Sequence, residues 1–172
     1  MLATAGSSFA IHQSSAALGS LLDDLRDAHA RLFAEIANMD ALTDLPTADW
    51  HQFCAARWRI SEASLARRSL AARIIDYLLT RVGAEQVASL KVLKAEDQAM
   101  LRTSAQHVSA WSLRAIQDDW RGYCRASRKL RAEMTAFLLA EQRVLFSILG
   151  THAPDSGAAA AIRRDERVWV AR

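Results

Sequence analysis

The sequence predicts an all-α fold, an up-down-up-down antiparallel four-helix bundle, and three observations carry that expectation. Apolar residues recur along most of the chain in stripes with alternating steps of three and four, the spacing of one helix face. Glycine and proline are scarce, at six and two in 172 residues. That suits long uninterrupted helices and disfavours a β fold with its many turns. The hydrophobic content of 51% is enough to fill the core of one domain of ordinary size.

The first helix is expected from about Ser15 to Met39, with Leu18, Leu22, Leu25, His29, Leu32, Ile36 and Met39 on one stripe. Leu45-Pro46-Thr47 breaks the chain, and Thr47 or Asp49 can cap a second helix from about Ala48 to Arg81. Its stripe is Phe53, Arg57, Ile60, Ser64, Arg67, Ala71, Ile74 and Leu78, and Gly83 ends it. The third helix, from about Ala84 to Ile116, is the least regular. Asp97 offers a cap for a restart after Lys94-Ala95-Glu96, and the expected seam is Leu101, Ser104, Val108, Trp111 and Ala115, with His107 beside it. The fourth runs from near Asp118 to Gly150, a helix-stopping glycine, with Trp120, Tyr123, Ser127, Leu130, Met134, Phe137, Glu141, Leu145 and Ile148 inside. Short connections between such helices favour antiparallel neighbours.

This divides the chain into an N-terminal tail (1–14), the bundle (15–150) and a linker with a basic, aromatic tail (151–172), both tails expected to be mobile. No run approaches the roughly 18 apolar residues of a membrane span. The first twenty residues lack a basic stretch followed by a continuous apolar core, so no secretory signal is expected and the cytoplasm is the expected compartment. Cys54 and Cys124 fall on different helices without CxxC spacing and read as buried free thiols. The net charge of +3, with a pI near 9.2, is spread over every helix and interleaved with acids, as on a solvated face. Arg125, Arg128 and Lys129 share a face that can touch phosphates or an acidic partner, but no reader motif accompanies them, which argues against nucleic acid.

Catalytic signatures are missing. The sequence has no nucleophile elbow, no glycine-rich phosphate loop and no HExxH, and its five histidines are scattered. His12, His51 and His152 are expected to be exposed, and the tryptophans at 50, 58, 111 and 120 to pack in the core. An inward His29 or His107 in a roomy pocket would be the requirement for a tetrapyrrole.

Leu25-Arg26-Asp27-Ala28-His29-Ala30-Arg31-Leu32 resembles the first-helix motif of hemerythrin-like (HHE cation-binding) domains, whose histidine binds iron from inside the bundle. Trp58 to Leu79 is similar to the second helix, with Arg67 in place of the histidine and Ala71 in place of the glutamate four residues on. Asp118-Asp119-Trp120-Arg121-Gly122-Tyr123 and Phe137 to Leu149 are similar to the last helix, with Phe137 where the histidine would stand and Glu141 retained. The resemblance spans roughly residues 18 to 149 and implies a metal bundle degenerate in its ligands. The metal set left is His29, His107 and Glu141, with Glu35 and Glu62 as outliers, against the five to seven side chains of a di-iron site. A fixed guanidinium beside a dication is costly. The substitution pattern suggests a buried polar core of His29, Arg67 and Glu141 in the metal's place, an idea that fails if Arg67 and Glu141 lie more than about 6 Å apart unbridged.

Arg163-Arg164-Asp165-Glu166-Arg167-Val168-Trp169-Val170 resembles the opening arginine motif of cyclic-di-GMP-binding PilZ domains, without the second half of that signature. The simpler expectation is an exposed tail in which Arg163, Arg164, Arg167 and Trp169 anchor another protein. The functional expectation is a non-enzymatic regulatory or protein-interaction module without a cofactor, its partner another protein or a second copy of the chain. The alternative is a non-haem di-iron protein for oxygen or redox sensing, or for iron handling, with a reduced ligand set.

Overall fold

A computed structural model describes the backbone of residues 5–152 and the side chains of residues 19–149. It is all-helical, with no strand among the described residues. The helices are α1 (Ala5–Thr43), α2 (Trp50–Leu79), α3 (Ala84–Ala110), the short α4 (Leu113–Asp118) and α5 (Trp120–His152). The expected tail at the N-terminus is in fact helical from Ala5, ten residues before the expected helix start at Ser15. At the other end α5 continues through Gly150 to His152, because one glycine costs a helix only about 1 kcal/mol.

Asp49 caps α2, its carboxylate accepting from the Gln52 N–H at 3.1 Å. Gly83 precedes α3, where the Gln86 side chain reaches back to the Gly83 N–H. The interruption expected near Asp97 is absent, and α3 breaks instead at Trp111-Ser112. Ser112 caps the restart by accepting from the Ala115 N–H at 3.2 Å. The Trp111 carbonyl, left without a helical partner, accepts from both Arg57 terminal nitrogens at 3.3 Å. Asp119 then starts α5, its carboxylate accepting from the Gly122 N–H at 2.8 Å. A Cβ on Gly122 would lie 1.9 Å from that carboxylate, so the cap depends on the glycine.

Residue pairs fix the directions. Asp40 meets Arg131 and His29 meets Glu141, so α1 and α5 run antiparallel. Arg57 meets Trp111, Arg67 meets Asp97 and Asp76 meets Lys94, so α2 and α3 do too. The core has two parts. The larger includes Leu25, Leu32, Ile74, Leu78, Leu90, Leu93, Leu138, Leu145 and Leu149. The smaller, at the other end, gathers Met39, Phe53, Ile116 and Tyr123, with Trp111 and Trp120 packed against them. Its rings meet edge-on, Phe53 with Trp120 at 5.4 Å and with Tyr123 at 5.2 Å, a favoured aromatic geometry.

The stripes expected on α1, α2 and α5 face this core. On α1 they do so from Leu22 to Met39, Leu18 lying outside the described side chains. On α3 the expected seam holds at Ser104 and Trp111 but is off by one position at Leu101 and Val108, where Met100 and His107 turn inward instead. Leu90, Leu93, Asp97, Met100, Ser104, His107 and Trp111 turn inward, leaving Leu101 and Val108 exposed. Only Leu90 and Leu93 of α3 are fully buried, and α3 packs more thinly on α2 than on α5. Three side chains also differ from expectation: Trp58 is 66% exposed and Trp50 37%, and Cys54 is exposed while Cys124 is a buried free thiol.

Because α3 is anchored near its start, its amides should not exchange uniformly. Native-state hydrogen exchange is expected to release residues 98–110 before residues 87–95, and Leu90→Ala should cost about 2–5 kcal/mol. Uniform protection along α3 would contradict this anchoring.

Candidate functional site

Four long helices each send one polar side chain to a common level of the core. His29 of α1 occupies the stripe position between Leu25 and Leu32 and is fully buried. Arg67 of α2 lies between Ala63 and Ala71, whose small side chains leave room for a guanidinium, and it is 2% exposed. Glu141 of α5, on the stripe between Phe137 and Leu145, is 1% exposed. Asp97 of α3 closes the set from the rim.

These groups form a chain of charge-assisted hydrogen bonds. His29 Nε2 lies 2.7 Å from Glu141 Oε2; a carboxylate only accepts, so the hydrogen between them is carried by Nε2. Arg67 Nη1 donates to Glu141 Oε1 at 2.7 Å, and its Nη2 donates to Asp97 Oδ1 at 2.7 Å. Arg68 Nη2 meets the other Asp97 oxygen at 3.1 Å. Two carboxylates and two guanidiniums thus balance, with both oxygens of each acid engaged. The Phe137 ring lies 5.3 Å from the Arg67 guanidinium carbon, within cation–π range. Phe146 meets the His29 ring edge-on at 6.5 Å. Among the described residues, two buried side-chain polar atoms have no partner, His29 Nδ1 and Arg67 Nε.

Beside Arg67, where α2, α3 and α5 meet, is a cavity of about 40 Å³. Arg67, Arg68, Asp97, Ser64 and Ser104 form its polar wall, and Met100, Met134 and Phe137 part of its apolar one.

The expected site residues are thus only partly assembled. His29, Arg67 and Glu141 come together. His107 does not join them: its ring packs against Tyr123 at 5.6 Å, and Tyr123 lies about 27 Å along α5 from Glu141 at 1.5 Å per residue. Glu35 pairs with Arg59 at the surface, and Glu62 is exposed. A di-iron set does not fit these residues: no three of His, Cys, Asp and Glu stand close enough to hold a metal among the described residues. The one His–Glu pair shares its carboxylate with a guanidinium. Arg163, Arg164, Arg167 and Trp169 lie outside the described residues. Of the basic face on α5, Arg128 pairs with Asp44 and Lys129 approaches Glu133.

Sequence reasoning gave Asp97 the wrong role, a helix cap. The signal for its true place was its spacing, four after Leu93 and seven after Leu90. A second buried cation, Arg131, was also passed over; it donates to Asp40 at 2.8 Å, to Thr43 at 2.8 Å and to Ser127. Arg131 is one of two guanidiniums acting on His107. Burial first, then the charges of Arg57 and Arg131, hold the His107 imidazole below its ordinary 6.5.

Comparison with family models, curated proteins and solved structures finds no match for this chain.

The lowered His107 value has a signed consequence. The unfolded chain binds the proton more readily, so stability falls as pH drops below 6.5 and levels off below the folded value. His107→Gln should flatten that part of the stability–pH curve in chemical denaturation across pH 5–7; an unchanged slope would contradict this account.

Proposed function

We propose that the chain is a hemerythrin-like, up-down-up-down four-helix bundle that works without metal, as a regulatory or protein-interaction module rather than an enzyme. The observation that supports this most is the His29–Glu141–Arg67–Asp97 chain at the level where the resemblance would put iron. Arg67 supplies there the positive charge that a metal would otherwise bring to Glu141. It does so permanently, since a guanidinium stays protonated. Two acceptors on one arginine and a packed phenylalanine leave no open coordination position, and the unpartnered His29 Nδ1 is fully buried, out of a substrate's reach.

The surface supports the interaction part of the reading. Trp58 and Leu65 stand seven residues apart on α2, and Leu101 and Val108 stand seven apart on α3, all exposed. Helical spacing puts each pair on one face, two turns apart. Large apolar groups grouped in this way mark contact surfaces more often than solvated ones. The partner is another protein or a second copy of this chain.

The test is metal content and visible absorption of protein purified anaerobically without chelator. Iron well below stoichiometric and no oxo-bridge band are expected; about two irons per chain, lost in Glu141→Gln, would replace this reading with that of an iron protein. Sedimentation of the wild type against Trp58→Ser/Leu101→Ser then separates the partners. Concentration-dependent association abolished by the pair means a second copy, and a monomer in both means a different protein.

A further inference from the structure

We propose that the cavity where α2, α3 and α5 meet is a binding site for a small monovalent anion of the size of chloride or formate. The argument is independent of the bundle's family and of its partner. It starts from the donors that the polar chain leaves over. Arg67 is 98% buried, since it is 2% exposed; Nη1 serves Glu141, Nη2 serves Asp97, and Nε has no acceptor. A buried charged donor without an acceptor is costly, and Arg67 lines this cavity. Ser64 of α2 and Ser104 of α3 both line it, and neither hydroxyl bonds to protein among the described residues. Arg68 completes the polar wall.

The acceptors on this wall are already engaged. Asp97 is the one acid lining the cavity, and both its oxygens are held by guanidiniums. The ionic groups that line the wall are Arg67, Arg68 and Asp97, and Glu141, bonded to Arg67 behind the wall, brings the set to balance. A guest is therefore met by the unpartnered Arg67 Nε–H and by two hydroxyls, with no free carboxylate oxygen, which favours a small anionic acceptor and disfavours a cation. Size narrows the class. A water needs about 10–15 Å³ of such space, so about 40 Å³ holds one ion of up to three heavy atoms and excludes nucleotides and sugar phosphates. The apolar wall of Met100, Met134 and Phe137 lowers the local dielectric and strengthens each contact.

An anion here would have a structural effect. Ser64 and Ser104 belong to the two helices whose mutual packing is thin, on the half of α3 that buries no side chain fully. A bridge between them ties that half of α3 to α2, so binding is expected to slow exchange of the amides at 98–110.

The test compares the wild type with Ser64→Ala/Ser104→Ala, which leaves the arginine chain intact. At fixed ionic strength, gluconate is replaced by chloride or formate while chlorine-35 linewidth and thermal midpoint are followed. Expected are a saturable chloride broadening displaced by formate, a rise in the midpoint with either anion, and binding about tenfold weaker or more in the variant. No saturable broadening would overturn the site. Equal binding in wild type and variant would overturn it as well, because the anion would then lie elsewhere.

Discussion

The structure depends on how one buried carboxylate is kept charged. Glu141 sits in the core with almost no exposure, where an isolated carboxylate would cost far more than a folded domain can spare. It persists because both oxygens are bonded at 2.7 Å, one by Arg67 and one by His29. Asp97 holds the guanidinium from its other side. The chain reaches from α1 through α5 and α2 to α3, so it ties four helices at one level. A helix rotated out of register would strand a charge, whereas an apolar layer tolerates sliding. Such polar layers set register at some cost in stability.

The same chain explains why α3 is uneven. Its first half is held by Leu90 and Leu93, and its midpoint by Asp97, clamped between Arg67 and Arg68. Beyond Asp97 the inward residues are Met100, Ser104, His107 and Trp111, none of them fully buried. The helix then breaks, and Arg57 takes the freed Trp111 carbonyl. A helix so lightly packed leaves a small cavity at Met100, Leu101 and Ser104, with Leu101 and Val108 also exposed to solvent. Proposed anion site and proposed contact surface share this one cause.

Much of this was legible in the sequence where a stripe was strong. On α1, α2 and α5 the period picked out the inward residues, including Arg67 and Glu141, because a polar residue inside an apolar stripe is conspicuous. On α3 the same reasoning found Ser104 and Trp111 but slipped by one residue at two places. Leu101 and Val108 are apolar and correctly spaced, yet the seam runs through Met100 and His107 there, and the polar Asp97 and His107 hide the period. The break at Trp111-Ser112 was not legible either. Its local mark is a single capping serine, Ser112, and its other support is a tertiary contact, Arg57 to the Trp111 carbonyl, which leaves no trace in the local sequence. Arg131 was missed because its partners Asp40 and Thr43 lie on α1, about ninety residues away in the chain.

The most direct test of the account is a double-mutant cycle on Arg67→Met and Glu141→Leu, read by denaturant unfolding. Each single variant leaves a partner charge buried and should cost about 3–5 kcal/mol. The double variant, an apolar pair of similar volume, should recover most of that loss. Additive losses within about 0.5 kcal/mol would contradict the account, because the two side chains would then contribute independently and no shared ion pair would hold the core.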